Sequence, residues 1–138
     1  MVKYKPEHKG FIVLMSCISY FEGVEQYKIG ISSNRNSRRT FINAINRVYP
    51  NKFTNQEIGR LYSQARCGLF HDGMVKGQII IRNSYEETIK ITNNDIFINP
   101  KKLLKDICVD FENYLETLRN DHEAREKFDK MFSNIDNN

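Results

Sequence analysis

The chain has 138 residues, 40% of them hydrophobic and 28% charged, and carries a formal net charge of +4. That length suits a single domain spanning residues 1–138, and that apolar content excludes general disorder. The mild basic excess is compatible with a polyanionic partner and equally with an ordinary solvated surface. The longest apolar run, residues 11–15, is far below the ~20 residues that a membrane span requires.

Three cysteines, Cys17, Cys67 and Cys108, are odd in number and widely spaced. This argues against a disulfide framework or a zinc site and predicts buried thiols in a reducing compartment. No small-residue cleavage pattern follows an apolar stretch near the N-terminus, so a cytoplasmic protein is expected. There is no glycine-rich phosphate loop, zinc-ligand spacing or nucleophile elbow, and no cofactor or metal is expected. His8 and His122 stand alone and are read as surface residues.

Residues 6 to about 26 predict the first helix. Phe11, Leu14, Met15, Ile18, Phe21 and Val24 recur at three- and four-residue steps, with Pro6 suited to the first turn. Ile12, Val13, Cys17 and Tyr20 widen its apolar face, which predicts a helix in the middle of a bundle or at a subunit interface. A polar loop over residues 30–36 leads to a second helix over residues 37–49, stopped by Pro50. Thr54 or Asn55 caps a third helix whose stripe is Ile58, Leu61, Tyr62, Ala65 and Leu69, with Gly73 as a left-handed C-cap.

The period then changes to two. Ile79 and Ile81, Ile89 and Ile91, and Ile96 and Ile98 alternate with other residues, predicting a small hairpin or three-stranded ribbon over residues 78–98. Asn83-Ser84 and Asn93-Asn94-Asp95 supply its turns. Asn99-Pro100 opens a long helix with an apolar stripe of Leu104, Ile107, Phe111, Tyr114, Leu115 and Leu118. Asn120 with Glu123 predicts a capping box for a last helix carrying Phe128, Met131 and Phe132, and a frayed tail from Ser133. The expected fold is mainly all-α: an antiparallel bundle of four to five helices with a small β-hairpin insertion, placing a site between facing helices.

Arg66 and His71 are the pair best suited to phosphodiester chemistry. Arginine is a permanent cation with a planar fork of donors, and histidine exchanges protons near neutrality. On a regular helix, five residues turn roughly 500°, so the two diverge by about 140°. Gly68 between them lowers helix stability and permits a kink, while a second subunit offers another route to a shared cleft. The plainer reading is an Arg66 salt bridge and a His71 that favours the helix C-terminus through the dipole.

The run Arg66-Cys67-Gly68-Leu69-Phe70-His71 resembles the HEPN (higher eukaryotes and prokaryotes nucleotide-binding) superfamily, whose hallmark is arginine, four to six arbitrary residues, then histidine late in a bundle helix. An acidic residue on an apolar first helix (Glu22 after Phe21), the polar stretch from Ser32 to Arg39, the Leu61-Tyr62 run and Tyr114 in a closing helix are also similar, so the likeness covers roughly residues 8–119. The resemblance implies a homodimer that handles RNA without a metal, in a defence or toxin–antitoxin setting, with any partner protein unspecified. It would make Arg66 the phosphate-positioning group and His71 the general acid or base, acting on the 2′-hydroxyl as internal nucleophile. Glu22, Tyr62 and Cys67 would support the pair. Active members usually carry a polar residue directly after the arginine, where this chain has Cys67, and some members bind without cleaving. A cysteine there equally suits core packing.

Arg35, Arg38, Arg39 and Arg47 form a candidate RNA-backbone face on and around the second helix, or a solvated face. Tyr62 and Phe70 suit base stacking or core packing. The opening Gly10-Phe11-Ile12-Val13-Leu14, then Tyr27-Lys28-Ile29-Gly30-Ile31 and Arg35, is similar to GIY-YIG nucleases, a remote alternative that requires residues 10–16 to be a strand and Val13 to replace a tyrosine.

Overall fold

A computed structural model describes residues 6–67 and 79–136, with the backbone alone at residues 6–9, 11, 66, 67 and 134–136. Among these, the chain is mainly helical with a small three-stranded mixed sheet. The helices are α1 (Pro6–Ile29), α2 (Ser37–Val48), α3 (Asn55–Leu61), α4 (Pro100–Asn120) and α5 (His122–Asp136), with a π-helical segment at Tyr62–Cys67. The strands are β1 (Ile79–Ile81), β2 (Ile89–Ile91) and β3 (Ile96–Ile98).

Helix α1 is central because it is apolar on most sides. It packs against α2, α4, α5, the π segment and β1, and buries Leu14, Cys17, Ile18 and Phe21. Its periodic pattern is helical throughout, so residues 10–16 form helix and not the strand that the GIY-YIG likeness requires. The helix ends at Gly30, which has a φ of +71° and whose N–H donates a hydrogen bond to the Gln26 carbonyl, closing the last turn. A Cβ at Gly30 would also meet Lys127 of α5, so glycine is needed for both conformation and space.

Helices α1 and α4 run parallel. Gly10 lies beside Pro100, Tyr20 beside Asp110, and the Lys28 ammonium above the Tyr114 ring, so both sequences advance together. The expectation of uniformly antiparallel neighbours is corrected here. The sheet intervenes between α3 and α4 and returns the chain to the end from which α1 starts.

The sheet also differs from a simple hairpin or ribbon. Its order is β1-β3-β2, with β3 parallel to β1 and antiparallel to β2. The register aligns Ile79 and Ile91 with Ile96, and Ile81 and Ile89 with Ile98. Six isoleucines therefore share one face, and four of them are buried. The Arg60 guanidinium of α3 donates to the carbonyls of Thr92, Asn93 and Asp95, fixing the β2–β3 turn to the helical layer.

Local capping reads through in two places. Thr54 and Glu57 form a reciprocal capping box on α3. Asn99 caps α4 through the Lys102 amide, ahead of Pro100. Two expectations shift by a residue. The buried stripe of α4 is Pro100, Leu103, Ile107 and Tyr114, leaving Leu104 and Phe111 each 43% exposed. The rotation turns Asp106 and Asp110 toward Tyr49, Arg47 and Tyr20. Helix α5 is capped by Asp121, which accepts from the amides of Glu123 and Ala124, because the Asn120 amide is held by Glu116. It continues to Asp136, past the expected fraying at Ser133. Cys17 is buried, but Cys108 is exposed, contrary to the expectation of buried thiols.

Asn99 is fully buried and joins three pieces of chain. Its side-chain amide donates to the carbonyls of Asn83 and Tyr85, and its backbone amide to Thr88. Asn99→Ala removes the cap and strands two carbonyls, so it should destabilise by about 2–3 kcal/mol in urea denaturation. Asn99→Asp keeps the cap acceptor but sets a buried carboxylate oxygen against the Asn83 and Tyr85 carbonyls, so it should destabilise at least as much as alanine.

Candidate functional site

The motif begins where the winding of the third helix changes. Regular α-helix ends at Leu61, and Tyr62–Cys67 is wound as a π-helix. The Ser63 hydroxyl donates to the Gly59 carbonyl, the acceptor that α winding would give to the Ser63 amide. Ala65 is fully buried, and the half-buried Tyr62 ring packs at 5.5 Å from Phe41, which in turn meets Phe21 of α1 at 6.0 Å. An aromatic chain thus ties α1, α2 and the π segment together.

Arg66 lies in the backbone of this segment, one residue before its end at Cys67. The side chains of Arg66 and Cys67, and Phe70, His71 and Gly73 entirely, fall outside the described residues. Hydrogen bonds in a π-helix run from i to i+5, so residues five apart lie closer to one face than on an α-helix. Glu22 is half-buried on α1, next to Phe21 and on the helix against which the π segment packs.

The four arginines of the second helix region do not act as one set. Arg35 is exposed with a left-handed φ of 71°, and Arg38 and Arg39 are exposed in the first turn of α2. The Arg38 guanidinium lies over Gly59, where any Cβ would collide with it. Arg47 is different: it is half-buried between helices and engaged by carboxylates, so the structure separates it from the other three.

Arg47 is the centre of a polar junction. Its Nε donates to Glu25 at 2.8 Å, and its Nη1 to Asp110 at 2.5 Å. Tyr20 donates to the other Asp110 oxygen at 2.6 Å. The α1 residues Tyr20 and Glu25, Arg47 of α2 and Asp110 of α4 are thereby joined. One turn earlier on α4, Asp106 accepts from Tyr49 at 2.7 Å and from Thr88 at 3.1 Å. A cavity of about 380 Å³ opens beside Arg47, Tyr49, Asp106, Val109, Asp110 and Asn113. Arg47 Nη2 is buried with no hydrogen-bond partner among the described residues, a cost of about 1–3 kcal/mol that the two ion pairs must offset.

The titration behaviour follows from these contacts. Burial alone would raise Asp110, but its bonds from Arg47 and Tyr20 outweigh it and hold the carboxyl below the usual range. Burial would likewise lower Arg47, and the bonds to Asp110 and Glu25 reverse that. Burial, then the bonds to Asp110 and Asp106, push the Tyr20 and Tyr49 hydroxyls up. Burial pushes the Cys17 thiol up to about 12, which makes it inert. Among the described residues, no three His, Cys, Asp or Glu side chains converge to hold a metal ion.

Sequence reasoning missed most of this junction. Glu25 carried a signal, since it continues the buried stripe Leu14, Ile18, Phe21 at helical steps and is itself only 6% exposed. A carboxylate on such a stripe demands a partner. Asp106 and Asp110 share one face of α4, one turn apart, which was a second signal. No family model, curated protein or solved structure matches the chain.

Asp110 has a depressed folded-state pKa, so its stabilisation is present above the unfolded carboxyl value and is lost as pH falls through the folded one. The two tyrosines have raised values, so their contribution is present below the unfolded phenol value and is lost as pH rises. Thermal melting should therefore decline below about pH 4 and above about pH 10. Asp110→Asn should flatten the acid limb and lower neutral-pH stability by about 2–3 kcal/mol, because the Arg47 charge stays partly buried. An acid limb unchanged in this variant would contradict the assignment.

Proposed function

We propose that this chain is a HEPN-like protein that handles RNA in the cytoplasm, a helical bundle working as a homodimer, with Arg66 and His71 as its metal-independent cleavage pair. The observation that carries the reading is the π winding of Tyr62–Cys67, because such segments concentrate at functional sites and this one delivers the motif arginine. A straight α-helix is the geometry least suited to a pair five residues apart, and the helix ceases to be one four residues before Arg66. The packing of α1 on this segment adds support, since α1 carries Glu22, the acidic residue suited to orienting a guanidinium. The exposed Arg35, Arg38 and Arg39 supply donors for an RNA backbone at the start of the adjoining α2 and just before it.

In this reading Arg66 binds a phosphate and stabilises charge developing on it, and His71 moves the proton of the 2′-hydroxyl. The second reading is an RNA-binding or scaffolding module on the same fold that does not cut. The cysteine after Arg66, at a position where a polar residue is usual in active members, favours it. A role in defence or in a toxin–antitoxin pair belongs to the resemblance.

Incubation of the purified chain with single-stranded RNA in EDTA distinguishes the two. Cleavage is expected, and Arg66→Ala or His71→Ala should each reduce it by about 100-fold or more. RNA binding without cleavage selects the scaffold, and neither binding nor cleavage rejects both. Light scattering should give a dimer at micromolar concentration, whereas a monomer would remove the composite cleft.

A further inference from the structure

We infer that the outer face of the three-stranded sheet takes a guanine base, supplied by single-stranded RNA, in the cavity between Tyr85, Glu86, Glu87, Lys90 and Phe97. The source of the base rests on the RNA reading above; the pocket itself does not.

The cavity measures about 310 Å³, at the lower end of the range for small-ligand pockets and ample for one base. Phe97 is the middle residue of the central strand. Its side chain faces away from the isoleucine layer, since Ile96 and Ile98 on either side are buried. The ladder sets Lys90 directly opposite Phe97 on β2. Tyr85 meets Phe97 at 5.6 Å with the rings 87° apart, so two half-buried aromatic surfaces stand at right angles in the wall. A flat heteroaromatic ring is the ligand shape that such a wall stacks.

The polar lining selects among bases. Glu86 and Glu87 accept hydrogen bonds only, and Lys90 donates only. All three are exposed, and none of them is in an ion pair among the described residues. Guanine presents two adjacent N–H donors, N1–H and the N2 amine, beside the O6 acceptor. A carboxylate with a nearby ammonium matches that edge. Adenine offers one amine next to an acceptor nitrogen, which a carboxylate repels. An apolar peptide side chain would leave the three charges unused.

The site is held before any ligand arrives. The buried Asn99 amide fixes the carbonyls of Asn83 and Tyr85, Lys102 Nζ donates to the Glu86 carbonyl, and the Thr88 hydroxyl donates to Asp106. The 83–88 loop therefore loses little freedom on binding.

Titration of the full chain with GMP and with AMP, followed by NMR and calorimetry, tests the inference without requiring RNA cleavage. GMP should bind about tenfold more tightly than AMP. Tyr85→Leu should weaken GMP about tenfold, and Glu86→Gln with Glu87→Gln should abolish the preference with the melting temperature unchanged. Equal affinity for GMP and AMP, no binding of either, or insensitivity to both sets of variants overturns the pocket, even where the chain acts on RNA. GMP binding that obeys these variants in a chain inert toward RNA upholds the pocket and makes a free guanine nucleotide its occupant, rejecting the RNA source alone.

Discussion

A buried carboxylate on the core-facing side of a helix, among apolar residues, sets the terms for the rest of this molecule. Glu25 lies on the face of α1 that enters the core, and its charge is tolerable only with a cation held beside it. Arg47 supplies that cation from the end of α2, and Asp110 brings α4 to its other side. Three helices remote in sequence are thus locked at one point, and each ion pair would be a liability without the other. Because the network is directional, it fixes the rotation of α1 and α4 about their axes in a way that apolar packing alone does not. The one-residue rotation of the α4 stripe is the visible result: Asp106 and Asp110 turn inward, while Leu104 and Phe111 are left exposed.

The rotation of α1 then positions the element that carries the motif. With Glu25 directed at Arg47, Phe21 one turn earlier meets Phe41, and Phe41 meets Tyr62. The π segment is seated by these rings and by the fully buried Ala65. At the other end of the molecule, Asn99 does for the sheet what Arg47 does for the helices. One side chain and its own backbone amide hold the 83–88 loop, the start of α4 and the end of β3 in one arrangement. The proposed base pocket uses none of the residues assigned to the proposed RNA chemistry, which is why their failures are separable.

What the sequence made legible was whatever local physics decides. The 3.6-residue period of α1, the alternating isoleucines, Thr54 as one of the two caps offered for α3 and the Asn99-Pro100 helix start all read correctly because each depends on neighbours in the chain. Long-range pairing was opaque. The parallel partnership of β1 with β3, the parallel run of α1 beside α4 and the capture of Arg47 by two carboxylates all join segments separated by many residues. Arg47 shows the difficulty well. It was grouped with Arg35, Arg38 and Arg39 by proximity in sequence, whereas its position on the helix turns it toward Glu25. The Asn120 cap was lost to a competing partner one turn back, Glu116, and Asp121 took its place. For the motif itself, the sequence raised a geometric objection, the divergence of Arg66 and His71 on a straight helix. The π winding at Tyr62–Cys67 shows that the helix is not regular where it reaches Arg66, and the path on to His71 lies outside the described residues.

The central claim is that RNA is engaged at the π-wound end of the third helix. Photocrosslinking with thiouridine-substituted single-stranded RNA in EDTA, mapped by mass spectrometry, tests it most directly. The account predicts crosslinks concentrated in the peptide that contains Tyr62–Cys67 and in α1, and their loss in Arg66→Ala. Crosslinks confined to other surfaces, or a pattern unchanged by Arg66→Ala, would contradict it.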